Sequence, residues 1–237
     1  MYRVLLLLFP YIYTEKTYEL GIKSLASRLT KRSITFILDN ELTSAKTQPW
    51  SCVAEGVFGM DLTEKRVNSK YIFHGKIMTV RVDDALLPNG EPCIREVCEH
   101  PGGVGVLAID ENRIVTLVRQ YRYPYAETTL EIPAGKLDRG PEDAEQAGRR
   151  ELSEETGLTA GHMISLGEIW PSPGFMDERL YLYCAKDLAQ GECHPDDDEF
   201  VEIVRMPFEE LCQRIASGEI HDAKTVAAVG KALIMGL

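Results

Sequence analysis

The chain has 237 residues, enough for one large domain or a domain with an accessory segment. Apolar residues make up 44% and charged residues 27%, the balance of a soluble globular protein. No apolar run approaches the ~18 residues that cross a bilayer, which argues against a membrane partner. The net charge of −11 argues against nucleic acid, because a phosphate backbone demands a basic surface. The six cysteines form no Cys-x-x-Cys pair and no zinc spacing, so reduced thiols and a cytoplasmic location are expected.

Residues 1–59 differ from the rest. They carry seven Lys/Arg and five Asp/Glu, a net of +2, whereas residues 60–237 carry a net of −13. The opening MYRVLLLLFPYIY has the short apolar run of a signal peptide. Against that, only Arg3 precedes the run and no clean small-residue cleavage site follows. The favoured expectation takes residues 1–59 as an extension upstream of a true start at Met60.

From Tyr71 the pattern is strand-like. Met78, Val80 and Val82 alternate with Thr79 and Arg81, a period of two. Leu87-Pro88-Asn89-Gly90 carries the Asn-Gly hairpin signal, and Cys93 to His100 reads as the returning strand. Two apolar strands, 103–109 and 113–121, flank a turn at Asp110-Glu111-Asn112. Residues 130–133 lead into Ala134-Gly135. Pro141 suits the first turn of a following helix, and Glu142 and Asp143 suit its positive end. Gly148 within that helix costs about 1 kcal/mol relative to alanine, and close packing is the one reason for it. Strands over 163–170, 180–185 and 200–206, a helix over 207–217 ended by Gly218, and a last helix capped by Asp222 complete the chain. Short strands mixed with a few helices predict an α+β domain.

Glu151, Glu154 and Glu155 are spaced i, i+3 and i+4, so on a helix they share one face. Such a cluster costs roughly 1 kcal/mol on a bare helix. The plain reading is a solvated acidic face. The alternative is a site for a hard divalent cation, which takes oxygen ligands and works with substrate phosphates.

The stretch around these residues resembles the Nudix box, G-x5-E-x7-R-E-U-x-E-E-x-G-U with U aliphatic. Arg150, Glu151, Leu152, Glu154, Glu155, Gly157 and Leu158 match, with Glu142 at the right distance before Arg150. Gly135 precedes Glu142 by six intervening residues instead of five, which places one extra residue in the loop around Gly140-Pro141. From about Leu62 onward the chain is similar to the ADP-ribose pyrophosphatase branch. The similarity rests on REVCEHPGGVGVL at 95–107, VRQYRYP at 118–124, Pro173 sixteen residues after Gly157, and DDDEFVEI at 196–203.

This resemblance implies an α/β/α sandwich with a mixed sheet over 101–237, preceded by an antiparallel hairpin and dimerisation region over 60–100. It implies a homodimer, and Mg²⁺-dependent hydrolysis of ADP-ribose, with Mn²⁺ a possible substitute. GDP-mannose, or another nucleoside diphosphate sugar, is the alternative substrate. A nucleotide sensor without activity is the alternative of another class. Glu151, Glu154, Glu155 and the Ala134 carbonyl are the implied metal ligands, and Arg150 is expected to pair with a box carboxylate such as Glu142. Arg95 and Arg122 are the implied substrate arginines, against the plainer reading of each as a cross-strand ion pair. Glu199, with Asp198 second, would orient or deprotonate the attacking water, or else belong to a solvated acidic loop. Glu178 could face the site. Tyr121 or Phe175 would stack on the base, or else lie in the core. The five histidines are scattered and suggest no ligand set.

Overall fold

The computed structural model describes residues 61–138, 140, 142–193 and 200–237. Leu62–Leu237 forms one compact unit. The extension 1–59 and the Met60 start lie outside the described residues, as do Pro141, Asp198 and Glu199.

Three strands form an N-terminal antiparallel sheet in the order β1 (Lys65–His74), β2 (Thr79–Leu86), β3 (Pro92–Glu99). The expected hairpin is therefore a three-stranded sheet. Its first strand begins six residues before Tyr71, in KRVNSK, where no apolar alternation marks it. β1 is exposed along nearly all its length, so burial imposes no period on its sequence.

The larger sheet runs β10-β5-β4-β9-β8, with β6 against β5 and β7 against β4. Its strands are β4 (Gly103–Ile109), β5 (Ile114–Arg122), β6 (Glu127–Glu131), β7 (Ala134–Lys136), β8 (Leu158–Ile169), β9 (Leu180–Gln190) and β10 (Glu202–Pro207). β4 and β9 are parallel and the other pairs antiparallel, so the sheet is mixed as expected.

Central strand β4 is buried throughout and explains the layering. Val104, Val106 and Ala108 face one side, with Ala147 and Leu152 of helix α1 (Ala144–Thr156). Leu107 and Ile109 face the other. There they meet Phe208 and Leu211 of α2 (Phe208–Ala216), and Ala228, Val229 and Ala232 of α3 (Ala223–Met235). A period of two along one strand thus builds two cores, and helices cover both faces.

Helix α1 starts three residues later than Pro141 suggested. Asp143 is its N-cap in a capping box: its carboxylate accepts from the Gln146 amide at 2.8 Å, and the Gln146 side chain accepts from the Asp143 amide at 3.2 Å. Gly148 is explained by packing. A Cβ there would stand 3.1 Å from both Val104 and Val106 and 3.3 Å from Met163.

Candidate active site

Strand β7 ends the central sheet beneath α1, and the box carboxylates follow from that placement. Glu151 and Glu155 are buried at 6% and 3% exposure and line an open cleft of about 760 Å³. The Glu151 carboxyl group lies directly over Gly135, where any Cβ would collide with it. Gly135 therefore sits against the box carboxylate Glu151 despite the extra residue before Glu142. Glu155 accepts a hydrogen bond from the Ala134 amide at 3.0 Å.

Arg150 organises the acidic face. Its Nη1 donates to Glu151 at 2.7 Å and to Glu154 at 2.8 Å, while Nε and Nη2 reach Glu142 at 3.1 Å. The expected pairing with Glu142 is present, and two further carboxylates join it. Burial works to lower the Arg150 pKa, but its bonds to Glu142, Glu151 and Glu154 outweigh that and raise it. Two box carboxylates thus already share one point of positive charge. Among the described residues, no three His, Cys, Asp or Glu side chains close on a common point by themselves.

Across the cleft, Arg122 at the end of β5 grips Glu131 of β6 through two parallel bonds, Nε–Oε1 at 2.8 Å and Nη2–Oε2 at 2.6 Å. Glu131 is 1% exposed and also contacts Thr129 and Lys224. Burial alone pushes its carboxyl up, but the Arg122 hydrogen bonds and the Lys224 charge win and hold it at about 2. Lys224, in the first turn of α3, bonds Asp222 as well, at 2.9 Å. Sequence reasoning singled out Arg122, treated Asp222 only as a helix cap, and passed over Glu131 and Lys224. The one available signal was a charge at each position beside apolar neighbours.

The remaining expected residues separate. Glu178 lines the cleft, 3.4 Å from His100 Nδ1. It is held there because the loop before it is stitched to β3: the Cys98 amide donates to the Phe175 carbonyl, and the Asp177 amide to the Cys98 carbonyl. Arg95 is not brought to this cleft; on β3 it pairs with Glu64 at 2.6 Å. Tyr121 and Phe175 are both exposed, so neither joins the core. Glu154 belongs to the Arg150 cluster and does not line the cleft.

Residues 99–229, more than half of the chain, match the family model described as the NUDIX domain. The chain belongs to the Nudix family. Residues 64–98, which contain the three-stranded sheet up to Cys98, match the nucleoside diphosphate sugar hydrolase N-terminal domain. The Nudix chain is similar to an ADP-ribose pyrophosphatase of Bacillus subtilis (strain 168), with 40% identity over 71% of this chain and 91% of that protein. It is similar to a methanol dehydrogenase activator of Bacillus methanolicus, with 43% identity over 70% and 90%. A GDP-mannose pyrophosphatase of Yersinia enterocolitica is 35% identical over 61% and 80%. Among solved structures, an ADP compounds hydrolase superposes with a TM-score of 0.66 at 22% identity, over 74% of this chain and 95% of that one, a likeness of fold.

Proposed function

We propose that this Nudix chain hydrolyses the diphosphate bond of ADP-ribose, giving AMP and ribose 5-phosphate, with Mg²⁺ as its metal and Mn²⁺ able to substitute. The observation that carries the reading is the meeting of two box carboxylates, Glu151 and Glu155, with Arg122 in one cleft. The donor set fits a hard cation. Glu151 has room over Gly135, and Glu151 and Glu154 already converge on a single cationic nitrogen. Glu151, Glu154 and Glu155, with the Ala134 main chain, would hold the ion. When bound, it would polarise a phosphoryl oxygen and acidify a coordinated water.

The chain's own residues do the rest. Arg150 holds Glu151 and Glu154 in place. Arg122 meets the substrate phosphates with the charged planar donors that anion binding favours. Glu178, fixed near His100, faces the sugar. Glu199, with Asp198 second, orients or deprotonates the attacking water from the acidic loop.

We further read the protein as a cytoplasmic homodimer. Val67, Ile72, Phe73 and Ile94 on the N-terminal sheet are exposed apolar side chains that a second copy would cover, and Arg95 would serve across that interface. Five cysteines in the described residues are free thiols, in keeping with a reducing compartment. Light scattering at the dimer mass is expected, and a monomer mass removes the role of Arg95.

GDP-mannose is the second substrate reading, supported by the 35% identity to a GDP-mannose pyrophosphatase. Purified protein with Mg²⁺ should release AMP from ADP-ribose, and Glu154→Gln should cut turnover by at least about a hundredfold with unchanged circular dichroism. GMP from GDP-mannose without AMP from ADP-ribose selects the second reading. Hydrolysis of neither leaves a nucleotide sensor.

A further inference from the structure

Glu131 and Lys224 form a buried charged pair beside the cleft that the chemistry above leaves without a task. Both Glu131 oxygens are committed: Oε1 accepts from Arg122 Nε and Thr129, and Oε2 from Arg122 Nη2 and Lys224. Lys224 is in turn anchored by Asp222, which caps α3 through the Thr225 amide at 3.0 Å. The Thr225 hydroxyl accepts from the Ile132 amide at 2.9 Å, tying the same helix turn to the chain directly after Glu131.

The chain of contacts ends on Arg122. Its Nε and Nη2 are both taken by Glu131, which fixes the plane of the guanidinium. Nη1 makes no hydrogen bond among the described residues, while Arg122, Asp222 and Lys224 all line the cleft. A buried ion pair is costly to desolvate and adds little net stability over apolar packing. Its place beside the cleft therefore points to orientation.

We propose that Lys224 is a positioning residue: through Glu131 it sets the orientation in which Arg122 offers Nη1 to the anionic diphosphate sugar. This rests on the function proposed above, deepening it by tying substrate affinity to the first turn of the C-terminal helix. The Asp222–Lys224–Glu131–Arg122 relay makes the α3 turn part of substrate recognition without touching the ligand. Among the described residues no hydrogen bond joins Glu151, Glu154 or Glu155 to this relay, although the Glu155 charge reaches Arg122.

The test measures ADP-ribose binding by calorimetry without divalent cation, alongside KM and kcat with Mg²⁺. Lys224→Met should weaken binding and raise KM by roughly ten- to a hundredfold, the scale of one lost charge-assisted hydrogen bond, with kcat and the half-saturating Mg²⁺ concentration nearly unchanged. Lys224→Arg should recover most of the affinity. Arg122→Gln combined with Lys224→Met should bind as weakly as Arg122→Gln alone, since one acts through the other. Additive losses, or normal binding by a Lys224→Met protein that merely melts earlier, overturn the proposal. If Lys224→Met does not fold, Glu131→Asp keeps every charge and withdraws the carboxylate by one methylene; unchanged affinity there overturns it equally. A wild-type protein that binds ADP-ribose without cleaving it, and loses binding in these variants, sinks the hydrolase reading alone. One that neither binds nor cleaves ADP-ribose sinks both.

Discussion

A Cβ built on Gly135 would stand 2.0 Å from the carboxyl carbon of Glu151. Strand β7 and helix α1 can approach this closely only because residue 135 has no side chain. The same absence lets a buried carboxylate reach the cleft. Gly135→Ala should therefore displace Glu151, which cannot stay where it is and is already tied to Arg150. Turnover is expected to fall by at least about a hundredfold, with loss of fold limited to a few degrees in melting temperature. A kinetic assay beside a thermal melt checks it, and near-normal turnover removes the cradle.

Arg150 neutralises three carboxylates that otherwise repel one another. Arg150→Gln should lower stability without divalent cation by up to about 3 kcal/mol, since its partners are only partly exposed. Added Mg²⁺ should raise the melting temperature of the variant more than that of the wild type, because the ion takes over the neutralisation. Equal shifts in the two proteins count against a cation site at these glutamates.

Gly148 separates two opposed effects. Helix propensity alone favours Gly148→Ala by about 1 kcal/mol. The new methyl would press on Val104 and Val106, both fully buried on the central strand. Overpacking of this kind costs about 1–3 kcal/mol, so net destabilisation is expected. A denaturant midpoint above wild type would show that the strand yields.

The Glu131 carboxyl is held at about 2, below its ordinary 4.5. A depressed acid contributes stability above its unfolded value and loses it as pH falls through the folded one. The contribution, about 3 kcal/mol, is complete above pH 4.5 and fades towards pH 2. Glu131→Gln should therefore be markedly less stable than wild type at pH 7, with the gap closing between pH 4.5 and 2. Denaturation curves at a series of pH values measure the gap, and a constant one excludes this origin.

Much of the fold was legible because burial writes a period into the chain. β4 and β5 announced themselves as apolar runs, and α3 by its capping aspartate. Stretches that escaped, β1 before Tyr71 and β8 from Thr159 to His162, are exposed or only half-buried, so nothing constrained their alternation. Along α1, local spacing alone put Glu151, Glu154 and Glu155 on one face, since helical geometry is a property of neighbours in sequence.

Partners distant in sequence needed the folded chain. Arg122 and Glu131 sit nine residues apart on paired strands, and Lys224 joins them from 93 residues further on. No periodicity encodes such a meeting; it arises when β5, β6 and the start of α3 are packed side by side. The acidic helix face was thus determined by the sequence itself. The charged relay opposite it, and the overlap of Gly135 with Glu151, were decided by tertiary packing, because only the assembled layers bring a strand's bare backbone and a helix's carboxylate to the same point.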